Sequence, residues 1–270
     1  MKLDNARVLL TGAGGGIGTP LAHRLANAGA RLFMVGRDET GEQLQETLRS
    51  EGAEAHYRYV DLLSDEGAET SVRAARELFG GVDLLINLAG AMSFEAFTAE
   101  DPRVTERLLT LNTLVPMRLA HAVLPGMLAQ HRGRIVNIGS IFGSIGFAYF
   151  ATYSATKFAL RGFSEALRRE LDGTGVGVSY IAPRAVKTGF NSDAVYRMAR
   201  AVKMNLDQPE TVAEAILKAI RRERNETYIG WPEKLFVRIN ALLPSLVDNG
   251  VRKQNREAAR FVHPATTAHS

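Results

Sequence analysis

The chain has 270 residues, 46% apolar and 23% charged, with no cysteine and a formal charge of +4. This is the balance of an ordinary soluble globule, long enough for one large α/β domain or two small ones. It excludes disulfides and thiolate metal sites, and so mild a basic excess does not imply nucleic acid. No run of about 18 apolar residues suggests a membrane span. Residues 1–5 carry no signal-peptide core, so a cytoplasmic enzyme with no metal site is expected.

Residues 7–11 are a short apolar run. Gly12-Ala13-Gly14-Gly15-Gly16-Ile17-Gly18 follows, then a periodic stretch through Leu21, Ala22, Leu25 and Ala28 that ends at Gly29. This predicts strand, tight glycine turn and helix, with Pro20 tolerated in the first helical turn. Bare glycines let the backbone approach a pyrophosphate, and the helix N-terminus offers unpaired N–H groups. Residues 31–35 predict the second strand, which ends in Gly36-Arg37-Asp38. An acidic side chain there suits a ribose 2′-hydroxyl and repels a 2′-phosphate. Gly36 leaves space and Arg37 can pair with phosphate bidentately, which favours NADP(H) and leaves NAD(H) as the alternative. Asp38 argues the other way unless it caps the next helix, which runs to about residue 50.

A third strand spans 56–60 and ends at Asp61-Leu62, with a helix from about 64 to 79. Residues 82–86 predict a fourth strand that closes on Asn87-Leu88-Ala89-Gly90. A long helical stretch, 102–130, contains Asn112 and Pro116; the proline would kink it and free the Asn112 carbonyl. The fifth strand, 134–138, puts Ser140 at its C-terminal end, where ligands of open α/β sheets sit. A helix carrying Tyr153 and Lys157 runs to about 172. The sixth strand is 176–181, followed by Pro183-Arg184-Ala185-Val186-Lys187-Thr188. Residues 190–206 read as a helical, mobile lid. A helix over 211–222 and a strand over 227–230 complete residues 1–230 as a doubly wound, Rossmann-type parallel sheet of about seven strands flanked by helices.

Tyr153 and Lys157 lie one turn apart on one helix face. A free phenol, with a pKa of about 10, is a poor acid or base at pH 7. A neighbouring ammonium favours the phenolate and lowers that value, making a tuned acid–base pair. Taken alone, this spacing more often marks an exposed tyrosine beside a solvated lysine. Ser140 and the glycine turn shift the balance.

In combination these motifs resemble the short-chain dehydrogenase/reductase family over residues 6–230. Thr11-Gly12-x-x-x-Gly16-x-Gly18 resembles its cofactor turn, and Asn87-Leu88-Ala89-Gly90 its N-N-A-G motif. Asn112, Ser140, Tyr153 and Lys157 fall at its catalytic tetrad. The resemblance implies reversible carbonyl/alcohol conversion. Tyr153 would transfer the proton, Ser140 hold the substrate oxygen, Lys157 lower the tyrosine pKa and bind the nicotinamide ribose, and Asn112 anchor a water. Cofactor contacts are implied for Thr11, Gly12, Gly16, Ile17, Gly18, Arg37, Asp61, Leu62, Asn87, Gly90, Pro183, Val186 and Thr188, beside Tyr153 and Lys157. Relatives form dimers or tetramers through two long helices, here 102–130 and 153–172. The chain departs from the pattern at Leu88 and at Arg184, where a small residue is usual. That arginine would narrow the site, point outward or bind an acidic substrate group. A catalytically silent dinucleotide sensor is the rival reading; an epimerase would need a larger C-terminal domain.

Residues 231–270 form a C-terminal extension, apolar first, with Leu235, Ile239 and Leu242 at helical spacing, then basic at Arg252, Lys253, Arg256 and Arg260. It is expected to pack on the core or another subunit, to form a flap over an apolar lipid-, steroid- or acyl-like substrate, or to touch a membrane peripherally through 232–253. Residues from about 263 are expected to be disordered.

Overall fold

Apolar runs that alternate with helical patterns must be covered on both faces, and a single sheet achieves this. The structure, a computed structural model, describes residues 1–37 and 39–262. The disorder expected from 263 and the cap weighed for Asp38 lie outside the described residues. Strands β1 (Arg7–Thr11), β2 (Arg31–Gly36), β3 (Ala55–Tyr59), β4 (Leu84–Asn87), β5 (Gly133–Ile138), β6 (Val176–Pro183) and β7 (Glu226–Ile229) form one sheet. It is parallel throughout, in the order β3-β2-β1-β4-β5-β6-β7.

Successive residues of β1 point to opposite faces. Leu10 joins one core with Leu21, Leu25, Met34, Ile216 and Ile220. Leu9 joins the other with Phe33, Leu85, Leu119 and Val178. Helices α1 (Gly18–Ala26) and α2 (Glu39–Ser50) cover the first face. Helices α3 (Gly67–Phe79), α4 (Pro102–Leu109), α5 (Val115–Ala129) and α6 (Ala151–Glu170) follow, and α3, α5 and α6 cover the second. Helices α7 (Asp193–Ala201) and α8 (Pro209–Arg221) come next, and α8 returns to the first face. The strand order turns back at β1, so the connections leaving β1 and β4 diverge and open a crevice at their C-terminal ends.

The expected single helix over 102–130 is in fact α4, a π-turn at Thr110–Leu114, and α5. Pro116 sits in the first turn of α5 and has no N–H to return to the Asn112 carbonyl. The ladder widens there, and the Val115 N–H reaches back five residues to the Thr110 carbonyl. The expected lid is shorter than 190–206, and its Val195, Met198 and Ala199 are buried. The extension is two helices, α9 (Glu233–Leu242) and α10 (Pro244–Val262), with Pro244 opening the second. Ala258 of α10 packs with Val195 and Met198 of α7.

Leu32 in β2 is fully buried in the first core. Leu32→Ala is expected to lower the unfolding free energy by about 2–5 kcal/mol. Urea denaturation reads this as a lower midpoint at unchanged slope. A loss below about 1 kcal/mol would contradict the packing described.

Candidate active site

A cleft of about 970 Å³ opens at the crevice and runs from the glycine turn after β1 to the hairpin of α9 and α10. Its first wall is bare backbone. Gly12 has φ +71, and a Cβ there would lie 2.9 Å from the Ala89 backbone. A Cβ on Gly18 would lie 2.1 Å from the Gly12 carbonyl oxygen, and one on Gly16 would lie 2.4 Å from the Thr188 side chain. Side chains are therefore excluded, and main-chain groups and the start of α1 face the cleft. Arg37 and Asp61 line the same end and form an ion pair at 3.4 Å, both about half exposed. Bare turn, helix start, arginine and carboxylate are a donor set that fits a dinucleotide.

The structure brings Gly12, Gly16, Ile17, Gly18, Arg37, Asp61, Leu62, Gly90, Ser140, Tyr153, Lys157, Pro183, Val186 and Thr188 to this one cleft. Three expected site residues stand behind its wall instead. Thr11 is buried; its Oγ1 accepts from the N–H groups of Leu88 and Ala89, both at 3.0 Å. It shapes the 88–90 segment rather than facing a ligand. Asn87 is paired in register with Asn137 of β5, and its Nδ2 donates to the Asn137 Oδ1 at 2.8 Å. The pleat aims it into the protein, not into the cleft. Asn112 is buried in the π-turn, where its Oδ1 accepts from the Ala91 N–H at 2.9 Å. Its Nδ2 donates to the Ala91 carbonyl at 2.8 Å and to the Thr156 Oγ1 at 3.1 Å. Asn112 thus ties the 88–91 segment to α6.

Tyr153 and Lys157 share a face of α6, as their spacing dictates, and both are buried. The Lys157 Nζ donates to the Ile138 carbonyl at 3.1 Å and lies 5.7 Å from the Tyr153 ring centroid. Burial lowers the Lys157 pKa from 10.5 to about 8. Burial pushes the Tyr153 phenol up to about 12, and a hydrogen bond with Ser140 offsets only part of this. A phenol lowered by Lys157 was expected; in this geometry desolvation of the phenolate is the largest effect on it, and the shift is upward. A Cβ on Gly90 would lie 3.0 Å from the Asn112 Oδ1 and 3.8 Å from the Lys157 Nζ. A side chain at 90 would crowd this junction.

Ser140 ends the run from β5, and its Oγ accepts from the Phe142 N–H at 3.1 Å. Tyr180 holds it from below: the hydroxyl donates to the Ser140 carbonyl at 3.1 Å. A Cβ on Gly139 would lie 2.2 Å from the Tyr180 ring. Tyr180, Thr156 and the chain from Asn137 Nδ2 to Ser164 Oγ at 2.8 Å were not singled out by sequence. A polar residue inside a buried strand or helix is the signal, but its partner is not readable. Beyond Tyr153 the cleft turns apolar, lined by Phe142, Phe147, Phe150, Met198, Phe236 and Ile239. Phe142 stacks on Phe147 with centroids 5.5 Å apart. Arg184 lines the cleft, where Asp207 and Glu233 bind its guanidinium. Phe236 and Ile239 of α9 and Leu246 and Val247 of α10 line the cleft, and Ala258 of α10 packs with Val195 and Met198.

Residues 6–199 match the model of the short chain dehydrogenase family. A ketoacyl reductase of Nostoc is 32% identical over 254 residues, covering 91% of this chain and 88% of that protein. A 3-oxoacyl acyl-carrier-protein reductase of Vibrio cholerae is 29% identical over 221 residues, covering 80% and 90%. Among solved structures, a short chain dehydrogenase/reductase from Burkholderia phymatum in complex with NAD is similar at TM-score 0.84 and 25% identity, covering 92% of this chain and 96% of that one.

The lysine makes a prediction about stability. Between about pH 8 and the ordinary lysine value of 10.5, the unfolded chain binds more protons than the folded one. Stability therefore rises with pH in that window, and the full burial cost is felt below it. Lys157→Met lacks this component. Urea midpoints of the apo proteins at pH 7 and 9.5 should show wild type gaining about 1–2 kcal/mol on the variant. Parallel behaviour of the two would show that Lys157 is solvated.

Proposed function

The chain belongs to the short-chain dehydrogenase family, as an oxidoreductase acting on CH–OH groups with a nicotinamide cofactor, and we propose that it uses NADP(H) to interconvert an apolar carbonyl and its alcohol. The observation that carries this is the position of Ser140 and Tyr153 where the bare-backbone end of the cleft meets its aromatic end. The two ketoacyl reductases among the relatives support an acyl-like substrate.

When bound, the cofactor supplies or accepts the hydride. The Gly12–Gly18 turn and the start of α1 hold its phosphates. Arg37 is the candidate partner of a 2′-phosphate: its ion pair with Asp61 is a single long contact of 3.4 Å, and a guanidinium has five donors. Thr188, Val186 and Pro183 flank the nicotinamide end. Tyr153 gives its proton to the carbonyl oxygen in reduction and recovers it in oxidation. Its raised pKa keeps it protonated at pH 7, the form that reduction requires. Ser140 holds the same oxygen. Lys157 is mostly charged at pH 7 and holds the ribose, while Asn112 positions the wall behind it. The exposed Leu109, Leu114 and Phe158 offer an apolar face for the expected dimer or tetramer.

NADPH consumption should rise from short polar ketones to long-chain and ring ketones. Tyr153→Phe should lower kcat/KM by about 10²–10⁴ with cofactor affinity kept. Turnover confined to small polar carbonyls would remove the apolar-substrate reading. Tight cofactor binding without any turnover would favour the silent sensor.

The outer rim of the hairpin supports a peripheral lipid contact. Leu242 is 80% exposed, Leu243 and Leu246 are more than half exposed, and Arg238, Arg252 and Lys253 are exposed beside them. Among the described residues no helix is long and apolar enough to cross a membrane, so such contact would be interfacial. The protein should co-sediment with anionic vesicles more than with neutral ones, and Leu242→Asp should abolish the difference. Equal recovery with both vesicle types would remove this reading.

A further inference from the structure

The sequence departs from its family pattern at Arg184, and the structure shows three segments meeting there. Arg184 follows the last residue of β6. Its Nε and Nη2 donate to the two carboxylate oxygens of Asp207, at 3.0 and 2.7 Å. Its Nη1 donates to the Glu233 Oε2 at 2.9 Å and to the Trp231 carbonyl at 3.0 Å. Arg184, Asp207 and Glu233 side chains are only 17%, 14% and 21% exposed. Asp207 belongs to the body of the protein: its N–H donates to the Ala185 carbonyl and its carbonyl accepts from the Lys187 N–H, both at 2.9 Å. Glu233 is the first residue of α9. The fork on Asp207 therefore fixes the guanidinium, and the remaining nitrogen catches the root of the extension.

Gly230 completes the arrangement. It has φ +108, and a Cβ there would lie 2.6 Å from the Arg184 Cδ. The arginine stem occupies the space that a side chain at 230 would need. Beyond this root, Phe236, Ile239, Leu246 and Val247 of the hairpin line the apolar end of the cleft. What holds 230–233 therefore sets where that roof sits.

We propose that Arg184 is a positioning residue that clasps the C-terminal hairpin over the cleft and thereby sets the preference for bulky apolar substrates. The specificity part rests on the reductase reading above; the clasp does not. A cation between two carboxylates does more than add two ion pairs. Without it, Asp207 and Glu233 face each other as like charges and the root is pushed outward. Lysine is a poor replacement, because a single ammonium cannot make the fork and the two further contacts together.

The chain has one tryptophan, Trp231, and its carbonyl is part of the clasp. Trp231 is 68% exposed, so the anisotropy of its emission, rather than its quenching, reports on the mobility of the root without any turnover. Arg184→Gly should lower the emission anisotropy of Trp231 and speed tryptic cleavage within residues 234–256. It should also lower the ratio of kcat/KM for a long-chain ketone to that for a short one by about tenfold, through KM more than kcat. Glu233→Gln leaves the Asp207 fork intact and should move both readouts in the same direction by less; it serves if the glycine variant does not fold. Arg184→Lys should recover only part of the wild-type protection. Unchanged anisotropy and cleavage in both variants would overturn the clasp, even if the wild type proved inactive on every carbonyl. Changed anisotropy with an unchanged substrate ratio, in an active enzyme, would overturn the role in specificity.

Discussion

An ammonium group buried on α6 is the constraint around which the rest of the site is built. Lys157 is held by the Ile138 carbonyl at 3.1 Å, in a setting that lowers its pKa to about 8. Taking such a charge from water is costly, and the protein tolerates it only by supplying fixed dipoles around it. Its partner is the last carbonyl of β5, so α6 is pinned to the sheet at the crevice. Tyr153, one turn earlier, is then fixed relative to Ser140 at the end of the same strand. The π-turn serves the same end from the other side: Asn112 holds both Ala91 and Thr156, and Gly90 stays bare between them. Sheet, π-turn and helix thus meet within a few ångströms of the lysine.

The two ends of the cleft are stabilised differently. The glycine end is made from close-packed backbone: a Cβ at Gly12 or Gly18 would lie within 3 Å of other main-chain atoms. The apolar end is made from side chains of the 142–150 segment, α7 and the hairpin, and one cluster joins Phe142 and Phe150 to Met198 of α7 and Ala258 of α10. Aromatic and methionine contacts of this kind adapt to shape, since many small dispersion terms replace a few directional bonds. A rigid backbone end and an adaptable side-chain end thus share one cleft.

Much of the fold was legible because β1, β2 and β4 are buried on both faces and so read as unbroken apolar runs. The glycine turn and Ser140 were legible because each sat at the end of such a run, and Tyr153 and Lys157 because their spacing puts them on one helix face. Thr11 and Asn87 were expected at the cleft by resemblance; each is the last residue of its strand and is bonded within the protein, Thr11 to the 88–89 segment and Asn87 to Asn137. The phenol shift was misjudged for a related reason. Spacing shows that an ammonium is near but not how deeply the phenol is buried, and burial raises the phenol here. Tyr180 was invisible as a site residue because its partner, the 139–143 turn, lies about forty positions away in the chain.

Arg184 shows where a one-dimensional reading ends. An arginine in place of a small residue signals that something nearby has changed, and three destinations were open to it. Asp207, Gly230 and Glu233 decide among them, yet none stands out in sequence: two are ordinary surface-type acids and one is a glycine after a strand. The arginine needs the glycine for space and the acids for charge. The glycine in turn must be bare both for its φ of +108 and for the stem lying on it. Four positions from three segments are therefore mutually dependent, while the contacts of Ser140, Tyr153 and Lys157 involve none of them. The clasp proposed above can thus change without disturbing the geometry on α6.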